Sequence, residues 1–584
     1  MRWQRLAQAI SGNWLSRRIV EAAFLRYSHR RMACLDRLDI ARIQERTLLD
    51  LVRRAADTRF GWDHDFARIR SLADYQRLVP LRSYEEFWER YWKPSYPYLA
   101  GCTWPGAIPY FALSSGTTTG STKYIPVSGE MLRSNVKAAA TLLAGFVHAC
   151  PRAGLFQGQM FFLGGSTDLK PVGVWHETQA DGQPTEAGQL PVPETSTASP
   201  ALAPAGSRER TDPPGPGRSW PWRWSQRTSL PILAGDLSGI AAREVPELLR
   251  PYSFPPPELA WLTDWDQKVQ LLAQRSAPLP ITMISGVPSW LLVLFARLQQ
   301  VTGKETIAEI WPRLRLLVHG GVKFDPYREP MRRIVGSDRV RFLECYPCSE
   351  GFVAFEDPRY DLLRLIPDHG IFFEFVPVAE LDSPRPARHT VAQVEPGVNY
   401  AVVLTTCAGL WSYVVGDTVA FERRQPPLLR FTGRTKYFLS AFGEHLIDEE
   451  VEKAVAAAAH RCQAEVTDFH VGPVFPQRAD ELGRHLYLVE FARGPDSLQR
   501  FAATLDRELC QRNEDYHAHR RDDTGMAAPL VVPVRPGGFA DWLRHRGQLG
   551  GQHKVPRMDN SGRLTSELHR WLADAGWLES RPPA

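Results

Sequence analysis

Long apolar runs are absent from this 584-residue chain. Nothing approaches the ~18 consecutive apolar residues of a membrane span, and the opening MRWQRLAQAISGNWLSRRIV has neither a compact apolar centre nor a small-residue cleavage site of the secretory kind. Cytoplasmic residence is the expectation. Cysteine is scarce as well: the eight, at 34, 102, 150, 345, 348, 407, 462 and 510, are too scattered for a disulfide scaffold and read as reduced thiols. Cys345 and Cys348 have C-x-x-C spacing, but no second pair or nearby histidine completes a zinc site. Charge of one sign is also lacking. The 70 basic and 65 acidic residues are interspersed and leave a net +5, so nucleic acid is not implied as a partner. No internal repeat is visible.

What is present is a globular composition, 43% hydrophobic and 23% charged, long enough for two or more domains. Two stretches depart from it. Near the N-terminus, Arg2, Arg5, Arg17, Arg18, Arg26, Arg30 and Arg31 stand against Glu21 alone, while Trp3, Leu6, Ile10, Trp14 and Leu15 recur at helical spacing. This predicts an amphipathic helix, packed on its own protein in preference to an anionic membrane. Residues 178–219 are crowded with Pro, Gly, Ser, Thr and Ala and cannot bury enough to order themselves. Apolar segments resume on both sides, so this stretch reads as a disordered insertion within one domain.

The chemistry begins at Ser114–Lys123, SSGTTTGSTK, where glycines permit close backbone approach to a ligand and hydroxyls with a lysine suit phosphate oxygens. The spacing is not that of a Walker loop, which needs four residues between its glycines and a lysine directly after the second. The loop follows a strand candidate at Tyr110–Leu113 and precedes a helix for which Ser128 is the capping candidate. Three further strand-and-loop units are Leu314–Lys323, Val340–Glu350 and Ala401–Asp417. Polar loops at strand ends are where α/β sheets place ligands, and four of them suggest one shared site. Each alone is equally compatible with a surface turn.

In order, SSGTTTGSTK, VHGG, YPCSE, YVVGD, GRTKYFLSAFGEHLIDEEVE and a late GQHK resemble the adenylate-forming superfamily of acyl-CoA synthetases, luciferases and peptide-synthetase adenylation domains, across residues 111–557. YPCSEGFVAF, FEFVP, LWSYVVGD and FGEHL resemble one branch more closely, the Gretchen Hagen auxin-responsive family of acyl-acid amido synthetases in its bacterial form. The resemblance implies that ATP activates a carboxylic acid as an acyl-adenylate, which an amine, usually of an amino acid, then attacks. It implies that Ser114, Ser115, Thr117 and Lys123 cradle the phosphates, that Glu350 binds Mg²⁺, and that Tyr346 lies near the adenine. By the same resemblance Asp417 takes the ribose hydroxyls, Arg434 supports the ribose, and Lys554 enters the site for adenylation only.

Two positions depart from the superfamily pattern. His445 stands where a lysine or arginine usually follows the second-domain glycine, which leaves it a candidate nucleotide-binding residue whose imidazole is neutral or charged near pH 7, and Tyr437 stands where many members keep a hinge aspartate or lysine. The implied fold is α/β, with a large N-terminal adenylation domain of several subdomains over 1–432 and a smaller, mobile α+β C-terminal domain over 433–584. Within the latter, EVTDFHVGP and LYLVEF read as strands and SLQRFAATLDRELCQRN as a helix. The adenylation residues alone equally fit a thioester-forming ligase, or a nucleotide-binding module without turnover. The apolar Ile281–Phe295 reads as core in preference to an acyl pocket.

Overall fold

The computed structural model describes residues 13–114, 122–164, 169–176, 229–245, 249–260, 262, 265–321, 324–381, 383–435, 438–478, 481–520, 525–546 and 555–578. The expected insertion at 178–219 lies outside the described residues, as do Ser115, Thr117, Tyr437 and Lys554.

Apolar runs bounded by helical segments fix the first half of the main sheet. β3 (Gln159–Phe162), β7 (Ile281–Gly286), β8 (Leu316–His319) and β9 (Arg341–Cys348) pair in parallel, with β6 (Ser253–Phe254) beside β3. All four residues of β8 are buried, as expected of strands covered on both faces. From β9 onward the pairing reverses. β10 (Gly351–Asp357), β11 (Leu362–Leu365), β15 (Leu428–Arg434), β14 (Tyr413–Arg423), β13 (Asn399–Thr406) and β12 (Ile371–Pro377) continue the same sheet antiparallel, giving eleven strands in the order 12-13-14-15-11-10-9-8-7-3-6. β9 is thus the seam between a parallel and an antiparallel half, and Glu350 stands in the turn that makes the reversal.

A second sheet, in the order β2-β1-β5-β4, is built from β1 (Tyr110–Ser114), β2 (Lys123–Val127), β4 (Lys170–His176) and β5 (Ser229–Gly235). The expected strand and helix are found, while residues 115–121 of the loop between them lie outside the described residues. β2 leads directly into the helix Gly129–Ala149, whose cap Ser128 accepts the Met131 N–H. The predicted apolar segment Ile281–Phe295 becomes β7 and the first half of the helix Pro288–Thr302, and its buried Leu291, Leu292, Leu294 and Phe295 are core.

Of the biased N-terminal stretch, Arg2, Trp3, Arg5, Leu6 and Ile10 lie outside the described residues, and the rest forms α1 (Trp14–Arg37), which buries Ser28, Arg31, Met32 and Leu35. Arg31 reaches Asp368 with both guanidinium nitrogens, at 2.6 and 2.7 Å. Glu21 turns inward to accept the Leu155 and Phe156 N–H groups. Packing on the protein's own surface is therefore what α1 does from Arg17 onward. Its first turns leave Trp14, Leu15 and Ile19 at 65, 53 and 62% exposure. Among the described residues no helix is long and apolar enough to cross a membrane.

The smaller C-terminal part holds a three-stranded sheet of β16 (Glu465–Val474), β17 (Arg484–Arg493) and β18 (Leu530–Val534), with helices α2 (Asp448–Arg461) and α3 (Leu498–Arg512). The predicted strands and helix fall within these elements. Its core is continuous with that of the parallel half: Tyr327, in the helix Asp325–Val335, donates to the Ala441 carbonyl at 2.8 Å and stacks edge-on against Phe475. Residues 432 and 433 lie inside β15, which closes with Arg434.

Candidate active site

Four separate segments deliver polar side chains to one place beside the seam strand. Ser114 ends β1 and Lys123 begins β2, and the two are cross-strand partners at the base of the hairpin. Lys123 is only 6% exposed, with its ammonium 5.3 Å from the centroid of the Tyr84 ring. Tyr84 in turn accepts the Tyr124 N–H at 2.9 Å. A cation over an aromatic face keeps part of its solvation while losing water.

Glu350 is 6% exposed and accepts the Tyr413 hydroxyl at 3.1 Å. Burial pushes its carboxyl above the usual glutamate range, against the pull of the nearby Lys123 charge. Asp417 is 4% exposed and faces two donors: Tyr346 Oη at 2.8 Å on one carboxylate oxygen and Arg434 Nε at 2.7 Å on the other. The register explains the second contact, because Asp417 of β14 lies directly opposite Arg434 of β15. An ionised carboxylate offers about four acceptor sites, so two remain for hydroxyl donors. Asp417 sits within β14 and not in a loop beyond the strand end, which differs from the sequence expectation. The segment Ala401–Asp417 is a strand, a turn at Cys407–Leu410 and the start of a second strand.

Ser114, Lys123, Tyr346, Glu350, Asp417 and Arg434 are therefore brought together. Tyr346 is turned to the Asp417 carboxylate, with its ring edge-on to Phe431. His445 stands apart on the C-terminal part, in a left-handed conformation at φ 41°, with Nδ1 3.2 Å from Asp515 Oδ2 and its carbonyl accepting from Asn513 Nδ2. The glycines of VHGG have separate reasons: a Cβ on Gly320 would stand 2.6 Å from the Cys345 carbonyl oxygen, and Gly321 takes the left-handed φ of 84°. His319 before them stacks on Phe324 at 3.5 Å, and burial pushes its imidazole down to about 3, so it is neutral. Cys345 and Cys348 donate to the carbonyls of His319 and Gly351. Burial raises both thiols, Cys345 to about 12. Among the described residues no group of three His, Cys, Asp or Glu could hold a metal. Sequence reasoning passed over Tyr413, Tyr84 and Ser412. The first stands four residues before Asp417, but a tyrosine in an apolar strand reads as core.

Three domain models of one family match in chain order: the GH3 family N-terminal domain over residues 36–202, its central domain over 364–434 and its C-terminal domain over 449–563. The chain is 27% identical over 280 residues to a jasmonoyl–L-amino acid synthetase, GH3.5 of Oryza sativa subsp. japonica, covering 44% of this chain and 47% of that one. It is 30% identical over 216 residues to the indole-3-acetic acid-amido synthetase GH3.8 of Oryza sativa subsp. indica, covering 34% and 35%. The matched region thus spans at most about half the length of these curated relatives. In structure it superposes on a GH3.15 acyl acid amido synthetase with a TM-score of 0.53 at 15% identity, covering 94% of this chain and 96% of the other. A 2-hydroxyisobutyryl-CoA ligase gives 0.53 at 12% identity, covering 92% and 93%. At such identities these two likenesses establish the fold, a mixed α/β architecture with a large N-terminal and a smaller C-terminal domain. With the three domain models in register along it, the chain belongs to the GH3 family.

Proposed function

We propose that the protein is an ATP-dependent ligase that activates a carboxylic acid as its acyl-adenylate and transfers the acyl group to an amine, an amino acid in the first instance. The observation that carries this reading is the convergence of Lys123, Glu350, Asp417 and Arg434 from four segments on one end of the seam. The relatives named as amido synthetases favour an amine over a thiol as acceptor.

In the first step a carboxylate oxygen attacks the α-phosphorus and pyrophosphate leaves. In the second the amine nitrogen attacks the acyl carbon, AMP leaves and the nitrogen sheds a proton. The half-buried Ser114 and the ammonium of Lys123 suit the triphosphate, together with Ser115 and Thr117 of the same loop. Asp417, steadied by Arg434 and Tyr346, suits the ribose hydroxyls. Glu350 is the residue that would hold Mg²⁺: it is a buried oxygen donor, and magnesium takes one or two carboxylates with phosphate oxygens and water. The ion when bound neutralises phosphate charge. On this reading the chain divides near 432/433, Lys554 is delivered to the site for the first step only, and His445 contributes little to phosphate binding. The reaction belongs in the cytoplasm, where ATP is supplied and eight unpaired thiols remain reduced.

The test is ATP–pyrophosphate exchange over a panel of carboxylic acids, followed by competition among glycine, hydroxylamine and coenzyme A. Amide as the main product supports the reading. A thioester as the main product replaces it with a CoA ligase, and no exchange with any acid, despite ATP binding, defeats it. Glu350→Gln keeps the volume but removes the charge, and exchange should fall by orders of magnitude.

A further inference from the structure

Ser412 is a fully buried, non-glycine residue at φ 45°, the left-handed region that side chains rarely enter. It stands between Trp411, whose ring is packed among Phe60, Phe66 and Trp104, and Tyr413, whose hydroxyl reaches Glu350. Conformations of this kind persist where the surroundings over-determine them, and here they do so through every polar atom of the residue. The Ser412 N–H donates to Thr405 Oγ1 at 2.9 Å, and its carbonyl accepts the Arg82 N–H at 3.0 Å. Its hydroxyl accepts from Arg388 Nη2 at 2.6 Å and lies 2.9 Å from Tyr75 Oη and 3.2 Å from Glu374 Oε2.

These partners are themselves fixed. Arg388 and Glu374 form a buried pair through two contacts of 2.8 and 2.9 Å, and Arg388 Nη1 also donates to the Val79 and Gln76 carbonyls. Tyr75 Oη is 2.7 Å from Thr405 Oγ1. None of these groups touches Lys123, Asp417 or Arg434 in the contacts described above. The network converges instead on one backbone angle, and the next side chain after that angle is the one bonded to Glu350. A structure that spends a buried ion pair on holding a left-handed serine has a use for the direction in which the chain leaves it.

We propose that Ser412 and the Arg388–Glu374 pair are positioning residues that aim the Tyr413 hydroxyl at Glu350 and so fix the carboxylate orientation used for metal–nucleotide binding. The inference rests on the functional reading of Glu350 given above. Tyr413 holds one carboxylate oxygen, which leaves the other pointed in a single direction. The clamp makes that direction a property of the fold and not of the ligand.

The experiment uses the full chain and its variants Tyr413→Phe, Ser412→Ala and the double variant, each checked by thermal melting. Calorimetry measures affinity for ATP with Mg²⁺ and for ATP with EDTA, and pyrophosphate exchange is titrated with Mg²⁺. Each single variant is expected to lose about 10-fold in the affinity gained by adding Mg²⁺ and to need correspondingly more Mg²⁺ for half-maximal exchange. ATP binding in EDTA and the KM for the acid should stay within 2-fold, and the double variant should be no worse than Tyr413→Phe alone, since both act through one contact. Additive losses, or a folded Ser412→Ala with wild-type Mg²⁺ dependence, would overturn the proposal. If Ser412→Ala does not fold, Thr405→Val, which removes only the acceptor for the Ser412 N–H and the Tyr75 contact, takes its place under the same criteria. Glu350→Gln separates the two levels: a silent Glu350→Gln sinks the functional reading, whereas a crippled Glu350→Gln beside silent Tyr413 and Ser412 variants sinks this inference alone.

Discussion

Asp417 holds two different donors on its two oxygens, and this makes it sensitive to a change of one atom. Asp417→Asn preserves shape, but an amide has one acceptor oxygen, so either Tyr346 or the Arg434 guanidinium is left facing an NH₂ group. Breaking one partner of a buried charge pair costs about 3 kcal/mol, and denaturant unfolding should register a loss of that order. The same variant should lose the preference for ATP over 2′-deoxy-ATP, because hydroxyl and acceptor form one interaction; an undiminished preference would remove Asp417 from ribose recognition. At this scale the sequence was legible where chemistry and position coincide. Glu350, Asp417, Lys123 and Arg434 are polar residues within a few positions of a glycine, and the family motif names them, although only Glu350 stands in a turn and the other three lie in strands. Tyr413 and Ser412 were not legible, because a tyrosine among valines looks like core and a left-handed φ leaves no mark in the residue letter.

Elements carry two further expectations. β4 and β5 pair with His176 opposite Ser229, so the chain that joins them begins and ends at adjacent backbone positions. Replacing residues 178–227 by a two-residue Asn-Gly turn should close the hairpin in register. By loop-closure entropy it should stabilise the fold by about 2 kcal/mol. A melting temperature raised or unchanged, with exchange activity intact, is the expected outcome; loss of exchange would give the segment a role in catalysis. The docking of α1 should depend on pH. Burial works to raise the Asp368 carboxyl, but the bidentate Arg31 and the nearby Lys137 outweigh it and bring it down to about 2. A carboxylate depressed in the fold contributes stability that is present above its ordinary range near 4 and is lost as pH falls toward 2. The contribution is about 2 kcal/mol. Asp368→Asn should therefore lower stability at pH 7 and converge with the wild type near pH 2, as followed by urea titration at each pH. The spacing itself said little about the packed face: Trp3, Leu6 and Ile10 lie outside the described residues, and Trp14 and Leu15 are turned outward. Arg31 was not legible either, since a basic residue in a basic stretch gives no sign of being the buried one.

On the scale of the whole molecule, the order of motifs conveyed the family and the two-part plan, while the eleven-stranded sheet and its reversal at β9 were beyond reach of local pattern because strand neighbours lie far apart in sequence. The proposed division of labour is tested by Lys554→Ala, which should lower pyrophosphate exchange by roughly 100-fold, in line with loss of one preorganised charge, while synthetic acyl-adenylate is still consumed by the amine. Equal damage to both steps would assign Lys554 another role. The core that joins the two parts bears on the same question. Tyr327, Phe475, Phe442 and the chain at Ala441 make one apolar contact between the parallel half and the C-terminal sheet. Any reorientation of the smaller part must wet that surface, and hydrating apolar area has a thermal fingerprint, a positive heat-capacity change. The passage from adenylation to transfer should thus be temperature-curved: an Eyring plot of the second step alone would bend where that of the first runs straight.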